Sequence, residues 1–202
     1  MIGALIEEEA DVVAIARGLS TVAVLGIKDA DEPDAPAHSV PALLARTGVR
    51  VIGINPKVKQ ALGSATLASI AELPPGVDVL DVFRRSEHIP AHTEELLALP
   101  PERRPAVVWL QSGIRHDASA ARLAAAGYRV VQDRCLGVYR QRALRTRCRP
   151  GSSAQRYRLR IPGPASNSAG RRARGAATGL GLPAPASMSA GRAGHPRKAR
   201  VV

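Results

Sequence analysis

The segment Val77-Asp-Val-Leu-Asp-Val-Phe-Arg-Arg-Ser-Glu87 contains the three parts of a strand-to-helix unit. The β-branched, mostly apolar run that ends at Val82 predicts a short buried strand, and the residues after the arginines have helical patterning. Ligands of parallel α/β sheets bind beyond the carboxyl ends of the strands, beside helix N-termini that favour anions. Arg84 and Arg85 are therefore predicted to meet a negatively charged ligand. Solvated loop charges are the alternative, because exposed arginines are common.

The strong positive charge belongs to one end of the chain. The 202 residues carry a net charge of +12, which is typical of nucleic-acid-binding proteins. However, residues 145–202 hold 13 of the 29 Lys and Arg residues and none of the 17 Asp and Glu residues. Residues 1–144 are therefore nearly neutral, and their composition does not favour a nucleic-acid-binding domain.

Residues 145–202 are predicted to be a disordered tail rich in Arg, Gly, Pro and Ala. They lack sustained apolar periodicity, so they cannot bury enough apolar surface to offset their chain entropy. A nucleic-acid-binding arm is possible, although Tyr157 alone could stack on a base. The composition also fits a shifted or read-through frame of a GC-rich gene.

The remaining composition indicates a soluble, cytoplasmic protein. Two cysteines, Cys135 and Cys148, are too few and too far apart for a disulfide framework or a metal knuckle. The N-terminal segment contains Glu7, Glu8 and Glu9 where a signal peptide needs basic residues. No apolar run approaches the length of a membrane span.

Strands and helices alternate along residues 21–144. Residues 4–17 predict a helix within an N-terminal segment, 1–20, that packs on the domain. Apolar runs then predict five strands, at residues 21–26, 49–54, 77–82, 106–110 and 128–132. Helices are expected at residues 41–46, 65–71, 88–99 and 117–126, with Ser39 as a possible N-cap of the first. This order predicts a three-layer, Rossmann-like α/β domain with a parallel sheet of about five strands.

The turn after the first predicted strand does not have the dinucleotide fingerprint. A Gly-x-Gly-x-x-Gly sequence is expected there for NAD, with an acid about 20 residues later. Gly26 stands alone instead, and the second strand is followed by Lys57 rather than a carboxylate. A cation at that position suits a ribose phosphate, as in NADP or coenzyme A.

Five segments in register resemble one known family. They are Thr21-Val-Ala-Val-Leu-Gly-Ile, Arg50-Val-Ile-Gly-Ile-Asn-Pro-Lys, Val77-Asp-Val-Leu-Asp-Val-Phe-Arg-Arg, Val107-Val-Trp-Leu-Gln-Ser-Gly-Ile-Arg-His and Val131-Gln-Asp-Arg-Cys-Leu. Together they are similar to the stand-alone CoA-binding domain family, whose Rossmann-type fold is related to the CoA-binding domain of the succinyl-CoA synthetase α subunit. The resemblance implies a non-catalytic domain that holds coenzyme A or an acyl-CoA at the carboxyl edge of its sheet.

The resemblance also implies which residues bind the ligand. Four clusters, one after each of the first four predicted strands, are expected to border one crevice. They comprise Gly26, Ile27 and Lys28; Asn55, Pro56 and Lys57; Phe83, Arg84 and Arg85; and Gln111, Ser112, Gly113 and Ile114. The first cluster is expected at the pyrophosphate and pantetheine, the second at the adenosine and its 3′-phosphate, and the fourth near the pantetheine arm.

Other reactive side chains carry weaker predictions. Cys135 follows the fifth strand, where Arg134 could favour its thiolate and a mixed disulfide with CoA, although a small buried thiol is the simpler interpretation. His88 and His92 are four residues apart without a third ligand, so no metal site is predicted. Asp78 and Asp81 make a poor acid–base pair, because they point to opposite faces of a strand.

The sequence thus favours a CoA-binding protein without a catalytic constellation. An NADP-dependent oxidoreductase using Lys57 and Arg84 for the 2′-phosphate is one alternative. The other is a nucleic-acid-binding protein that acts through its Arg-rich tail. The oligomeric state and the choice between free CoA and acyl-CoA stay open.

Overall fold

The computed structural model describes residues 3–145, so the predicted disorder of the tail lies outside the described residues apart from Arg145. Strands and helices alternate along this part of the chain. In chain order the elements are β1 (Ala4–Leu5), α1 (Glu9–Arg17), β2 (Thr21–Leu25), α2 (Pro36–Arg46), β3 (Arg50–Ile54), β4 (Gln60–Ala61), β5 (Ser64–Ala65), β6 (Val79–Val82), α3 (Ile89–Leu97), β7 (Val107–Leu110), α4 (Asp117–Ala125), β8 (Arg129–Val131) and α5 (Leu136–Arg145). Short 3₁₀ turns occupy Ile70–Glu72, Ser86–His88 and Pro101–Arg103.

One six-stranded parallel sheet organises the fold, in the order β1-β8-β7-β6-β2-β3. The chain passes from β2 to its neighbour β3 on one side, and then returns to place β6 on the other side of β2. The order of the five predicted strands is therefore the doubly wound order in which a crevice opens where the winding reverses. This topological switch point lies between β2 and β6.

Helices cover both faces of the sheet, as the three-layer prediction requires. Val12 of α1, Leu44 of α2 and Leu136 of α5 pack with Val24 and Trp109 on one face. On the other face, the helices α3 and α4 cover a second apolar cluster that includes Leu80, Leu110 and Leu123. Because both faces are buried, the strands are almost continuously apolar, which explains why all five were recognisable from sequence.

The predicted N-terminal helix begins later than expected. Ala4 and Leu5 form the sixth strand, which pairs with β8, and the helix starts only at Glu9. A strand of two residues is too short to show a period in the sequence, and its backbone partners lie more than a hundred residues away.

The prediction for α2 was also too short, because Pro41 does not begin this helix. The helix starts at Pro36, Ala35 is its N-cap instead of Ser39, and Pro41 lies inside it. A proline lacks the N–H that would bond to the carbonyl four residues earlier, which here is that of Ala37. The backbone N–H of Lys28 donates to this carbonyl at 3.1 Å. The interruption inside the helix thus anchors the loop that follows β2.

The helix predicted over residues 65–71 is wrong. β4 and β5 instead form a small hairpin, whose turn residues Leu62 and Gly63 have φ angles of 51° and 77°. Two left-handed residues are what a type I′ hairpin turn requires. The chain then runs beside β3, where the Leu67 N–H donates to the Gly53 carbonyl, and only Ile70–Glu72 turns helically.

The helix α5 was not predicted from sequence, although it joins α1 and α2 on one face of the sheet. Arg140 is 7% exposed and donates to the carbonyls of Ala16 and Arg17 at the end of α1, and to Thr47 at the end of α2. A cation at two helix C-termini satisfies carbonyls that would otherwise lack partners and complements both helix dipoles.

Within residues 3–145, no helix is long and apolar enough to cross a membrane.

Replacing the buried arginine should destabilise the domain far more than replacing an exposed one on the same helix. We expect Arg140→Ala to lower the free energy of unfolding by about 2–4 kcal/mol, because buried carbonyls lose their donors. Arg145→Ala removes an exposed side chain at the end of the same helix and should cost about 0–1 kcal/mol. Urea unfolding followed by circular dichroism measures both, and equal losses would contradict this role for Arg140.

Candidate functional site

The register of the sheet aligns four loops at its carboxyl edge. Leu25 of β2 pairs with Ile54 of β3 and with Val82 of β6, and Val82 pairs with Leu110 of β7. Each of the four predicted binding clusters begins directly after one of these strand ends. Because the strand ends are adjacent in the sheet, the four clusters are neighbours in space.

Two of these loops approach each other closely at Gly26. Its φ is +88°, and a Cβ atom added to it would lie 2.7 Å from the Phe83 carbonyl oxygen and 3.1 Å from Cδ of Arg84. Only glycine fits both the backbone conformation and the space. The side chain of Arg84 thus reaches across the switch point toward the turn that follows β2.

A cleft of about 600 Å³ opens beside this contact, and we call it the switch-point cleft. Nine of the predicted residues line it, including the possible thiol contact. They are Lys28, Phe83, Arg84, Arg85, Gln111, Ser112, Gly113, Ile114 and Cys135. The remaining walls come from Ser86 and from the start of α2, at Ala35, Pro36, Ala37 and Val40. Most of these walls are apolar, and the cationic groups come from Lys28, Arg84 and Arg85.

The other five predicted residues do not line the cleft. Gly26 and Ile27 are buried beneath the first turn. Asn55 ties this turn to the next one, because its Nδ2 donates to the Ile27 carbonyl at 2.8 Å and its Oδ1 accepts from the Lys57 N–H at 3.0 Å. Pro56 and Lys57 are exposed at the end of β3, one strand away from the cleft.

The three cations of the cleft differ in their partners. The Lys28 ammonium is bound to the Glu32 carboxylate at 2.7 Å, and Arg85 lies 3.7 Å from Glu87 with 84% of its side chain exposed. Within residues 3–145, no ion pair is found for Arg84. Burial lowers the pKa of the His92 imidazole, and the positive charge of Arg84 adds to this decrease, whereas Glu95 opposes it. Of the two arginines, Arg84 is thus the better placed to meet an anion in the cleft.

None of the acidic residues between Gly26 and α2 lines the cleft. Asp31, Glu32 and Asp34 are exposed. The cleft is lined instead by the N-terminal turn of α2, whose N-cap Ala35 supplies no side-chain acceptor. Pro36 has no N–H, and the N–H groups of His38 and Ser39 donate to the Ala35 carbonyl at 2.8 and 2.9 Å. This turn therefore attracts an anion mainly through the partial positive charge of the helix N-terminus.

A buried carboxyl lies behind the cleft wall. Asp81 is 0% exposed, and the Gln111 amide donates from Nε2 to its two carboxyl oxygens at 2.9 and 3.0 Å. Burial raises the pKa of Asp81 from 3.8 to about 8, while the hydrogen bond from Gln111 opposes the shift. Asp81 was not among the predicted site residues, although an acid within a strand that is otherwise apolar on both faces was a visible signal.

Two further predictions concern Cys135 and His92. Cys135 borders the cleft, but the Arg134 guanidinium is directed to the Glu9 carboxylate at 3.2 Å and to the Tyr139 hydroxyl at 2.7 Å, so it is committed to joining α1 and α5. His92 contacts Glu95 at 3.2 Å. No group of three or more His, Cys, Asp or Glu residues within the described chain could hold a metal ion.

Comparisons with known proteins agree with the fold and with the resemblance. The family model described as CoA binding domain matches residues 20–141, more than half of the chain. The uncharacterized protein YneT of Bacillus subtilis (strain 168) is 32% identical over 130 residues, which cover 64% of this chain and 92% of that protein. The resemblance inferred from the five sequence segments is therefore confirmed.

Two solved structures are similar to this one. The structure of cell-free ID.343 from Thermus thermophilus has 40% sequence identity and a TM-score of 0.61, covering 68% of this chain and 99% of that one. A hypothetical protein from Pyrococcus horikoshii OT3 has 24% identity and a TM-score of 0.60, covering 68% and 93%. At that identity the second likeness supports the fold alone.

The buried carboxyl should make stability depend on pH. Because the pKa of Asp81 is higher in the folded protein than in the unfolded chain, its contribution to stability is complete below about pH 4 and is lost as the pH rises through about 8. The variant Asp81→Asn has no group that titrates at this position. Its free energy of unfolding minus that of the native protein should therefore increase by a few kcal/mol as the pH rises. Urea unfolding between pH 5 and pH 9 measures the difference, and parallel curves would contradict the burial of an ionisable group.

Proposed function

Because the chain belongs to the CoA-binding domain family, we propose that it binds coenzyme A in the switch-point cleft without transforming it. The observation that carries this proposal is the combination of apolar walls with Arg84 and the N-terminal turn of α2 in one crevice. Coenzyme A combines a long uncharged arm with phosphates, and this cleft offers a suitable surface for each.

The proposed arrangement assigns the parts of the ligand to parts of the edge. The pantetheine arm lies along Phe83, Val40 and Ile114, where apolar side chains contact its methylene groups. The pyrophosphate meets Arg84, which donates charge-assisted hydrogen bonds, and the first turn of α2, whose helix dipole attracts the negative charge. The adenosine crosses the Gly26 turn toward β3, where the exposed Lys57 binds the 3′-phosphate.

Catalysis is not part of the proposal. Among the residues that line the cleft, no serine or cysteine is hydrogen-bonded to a histidine or a carboxylate, as an activated nucleophile requires. An NADP-dependent oxidoreductase is the enzyme alternative, but the turn at Gly26 lacks the glycines with which dinucleotide sites approach a pyrophosphate.

Calorimetric titration with CoA, dephospho-CoA and NADPH tests the choice of ligand. We expect CoA to bind. Dephospho-CoA should bind at least about tenfold more weakly, because this ligand lacks the phosphate assigned to Lys57. NADPH binding in the absence of CoA binding would overturn the proposal and favour the oxidoreductase.

Substitution of Arg84 tests the placement of the phosphates. Loss of a charge-assisted hydrogen bond costs about 1.5–3 kcal/mol, so Arg84→Ala should weaken CoA binding at least about tenfold. The matched control is Arg46→Ala. This exposed arginine lies in the last turn of α2, near the amino edge of the sheet, so its loss should leave the affinity unchanged. Equal affinities of the two variants would show that Arg84 is a solvated loop charge.

A further inference from the structure

The Asp81–Gln111 pair connects a buried ionisable group to the wall of the switch-point cleft. Gln111 is 4% exposed, follows β7 and lines the cleft, whereas Asp81 is completely buried in the neighbouring strand β6. Within residues 3–145, the Gln111 amide is the sole hydrogen-bond partner of the Asp81 side chain. The orientation of this amide therefore depends on what the carboxyl group needs.

The two protonation states of the carboxyl group need opposite ends of the amide. An ionised carboxylate only accepts hydrogen bonds, so it binds Nε2 of Gln111 and leaves Oε1 for the cleft. A protonated carboxyl carries an O–H that must donate, and its available acceptor is Oε1 of the same amide. Because the two ends of an amide have nearly the same shape, a half turn of the side chain exchanges them.

We propose that Asp81 is a proton-dependent positioning residue that decides whether Gln111 presents hydrogen-bond donors or an acceptor to the bound ligand. The inference rests on the proposed function, since it concerns the same cleft. With Asp81 protonated, Gln111 turns its N–H groups to the cleft and binds a carbonyl oxygen. With Asp81 ionised, Oε1 faces that carbonyl and repels it. The ligand group that this device recognises is an amide or thioester carbonyl, such as those of the pantetheine arm or of an acyl-CoA.

The surroundings of Asp81 leave its titration to burial and to Gln111. Its register neighbours on β2 and β7 are the apolar Val24 and Trp109. The ionisable groups that line the adjoining cleft are Lys28, Arg84, Arg85 and Cys135, and those of the loops and helices on this face include His38, Arg134, Tyr139 and Arg140. None of these groups is among the causes of the shift in the pKa of Asp81. Arg134 and Arg140 are held by Glu9 and by the carbonyl ends of α1, and Lys28 is held by Glu32. Because burial raises the pKa to about 8, the switch operates close to neutral pH.

Measuring CoA affinity as a function of pH tests the proposal. Between pH 6.5 and pH 9, we expect the affinity of the native protein to fall about tenfold relative to that of Asp81→Asn. In this variant the amide at position 81 cannot ionise, so the orientation of Gln111 no longer depends on pH. Titration of the ligand itself affects both proteins equally, so it cancels in the ratio.

A measurement without ligand separates this inference from the proposed function. In ¹⁵N-resolved NMR spectra, the side-chain amide signals of Gln111 should move with pH in the native protein and stay fixed in Asp81→Asn. Absence of CoA binding by both proteins would overturn the proposed function and leave the NMR result to decide the inference. CoA binding with the same pH profile in both proteins, or immobile Gln111 signals in the native protein, would overturn the inference.

Discussion

The reversal of the sheet between β2 and β6 is the constraint on which the site depends. Parallel strands need crossover connections. Where the connections from two adjacent strands run in opposite directions, a crevice stays open between them at the carboxyl edge. Here the two strand ends are so close that only glycine fits at position 26, where a Cβ would collide with the Phe83 carbonyl. The same geometry directs Arg84 over that turn and gives the switch-point cleft its position.

The fold could be inferred from sequence because both faces of the sheet are covered. Five strands were recognisable as apolar runs, and their ends correctly located the loops that meet at the carboxyl edge. The elements that were missed depend on partners distant in the chain. β1 pairs with β8, and α5 is fixed by Arg140 at the ends of α1 and α2, so neither has a decisive local signal.

Nine of the fourteen residues predicted for the site line the cleft, and the other five lie outside it. Sequence position placed Asn55 and Lys28 alike among the binding residues, but the side chain of Asn55 joins two turns while Lys28 borders the cleft. Sequence could not rank Arg84 above Arg85, because the ranking depends on which side chain crosses the switch point. The role proposed for Asp81 depends on complete burial beside an amide, which a strand pattern alone does not show.

The central claim is that the switch-point cleft is the binding site for coenzyme A. Backbone amide shifts during titration with CoA test it most directly, because they report position as well as affinity. The account predicts that the largest changes occur at Lys28, at Arg84 and from Gln111 to Ile114, around the walls of the cleft. Changes confined to the amino edge of the sheet, or no changes at saturating CoA, would contradict it.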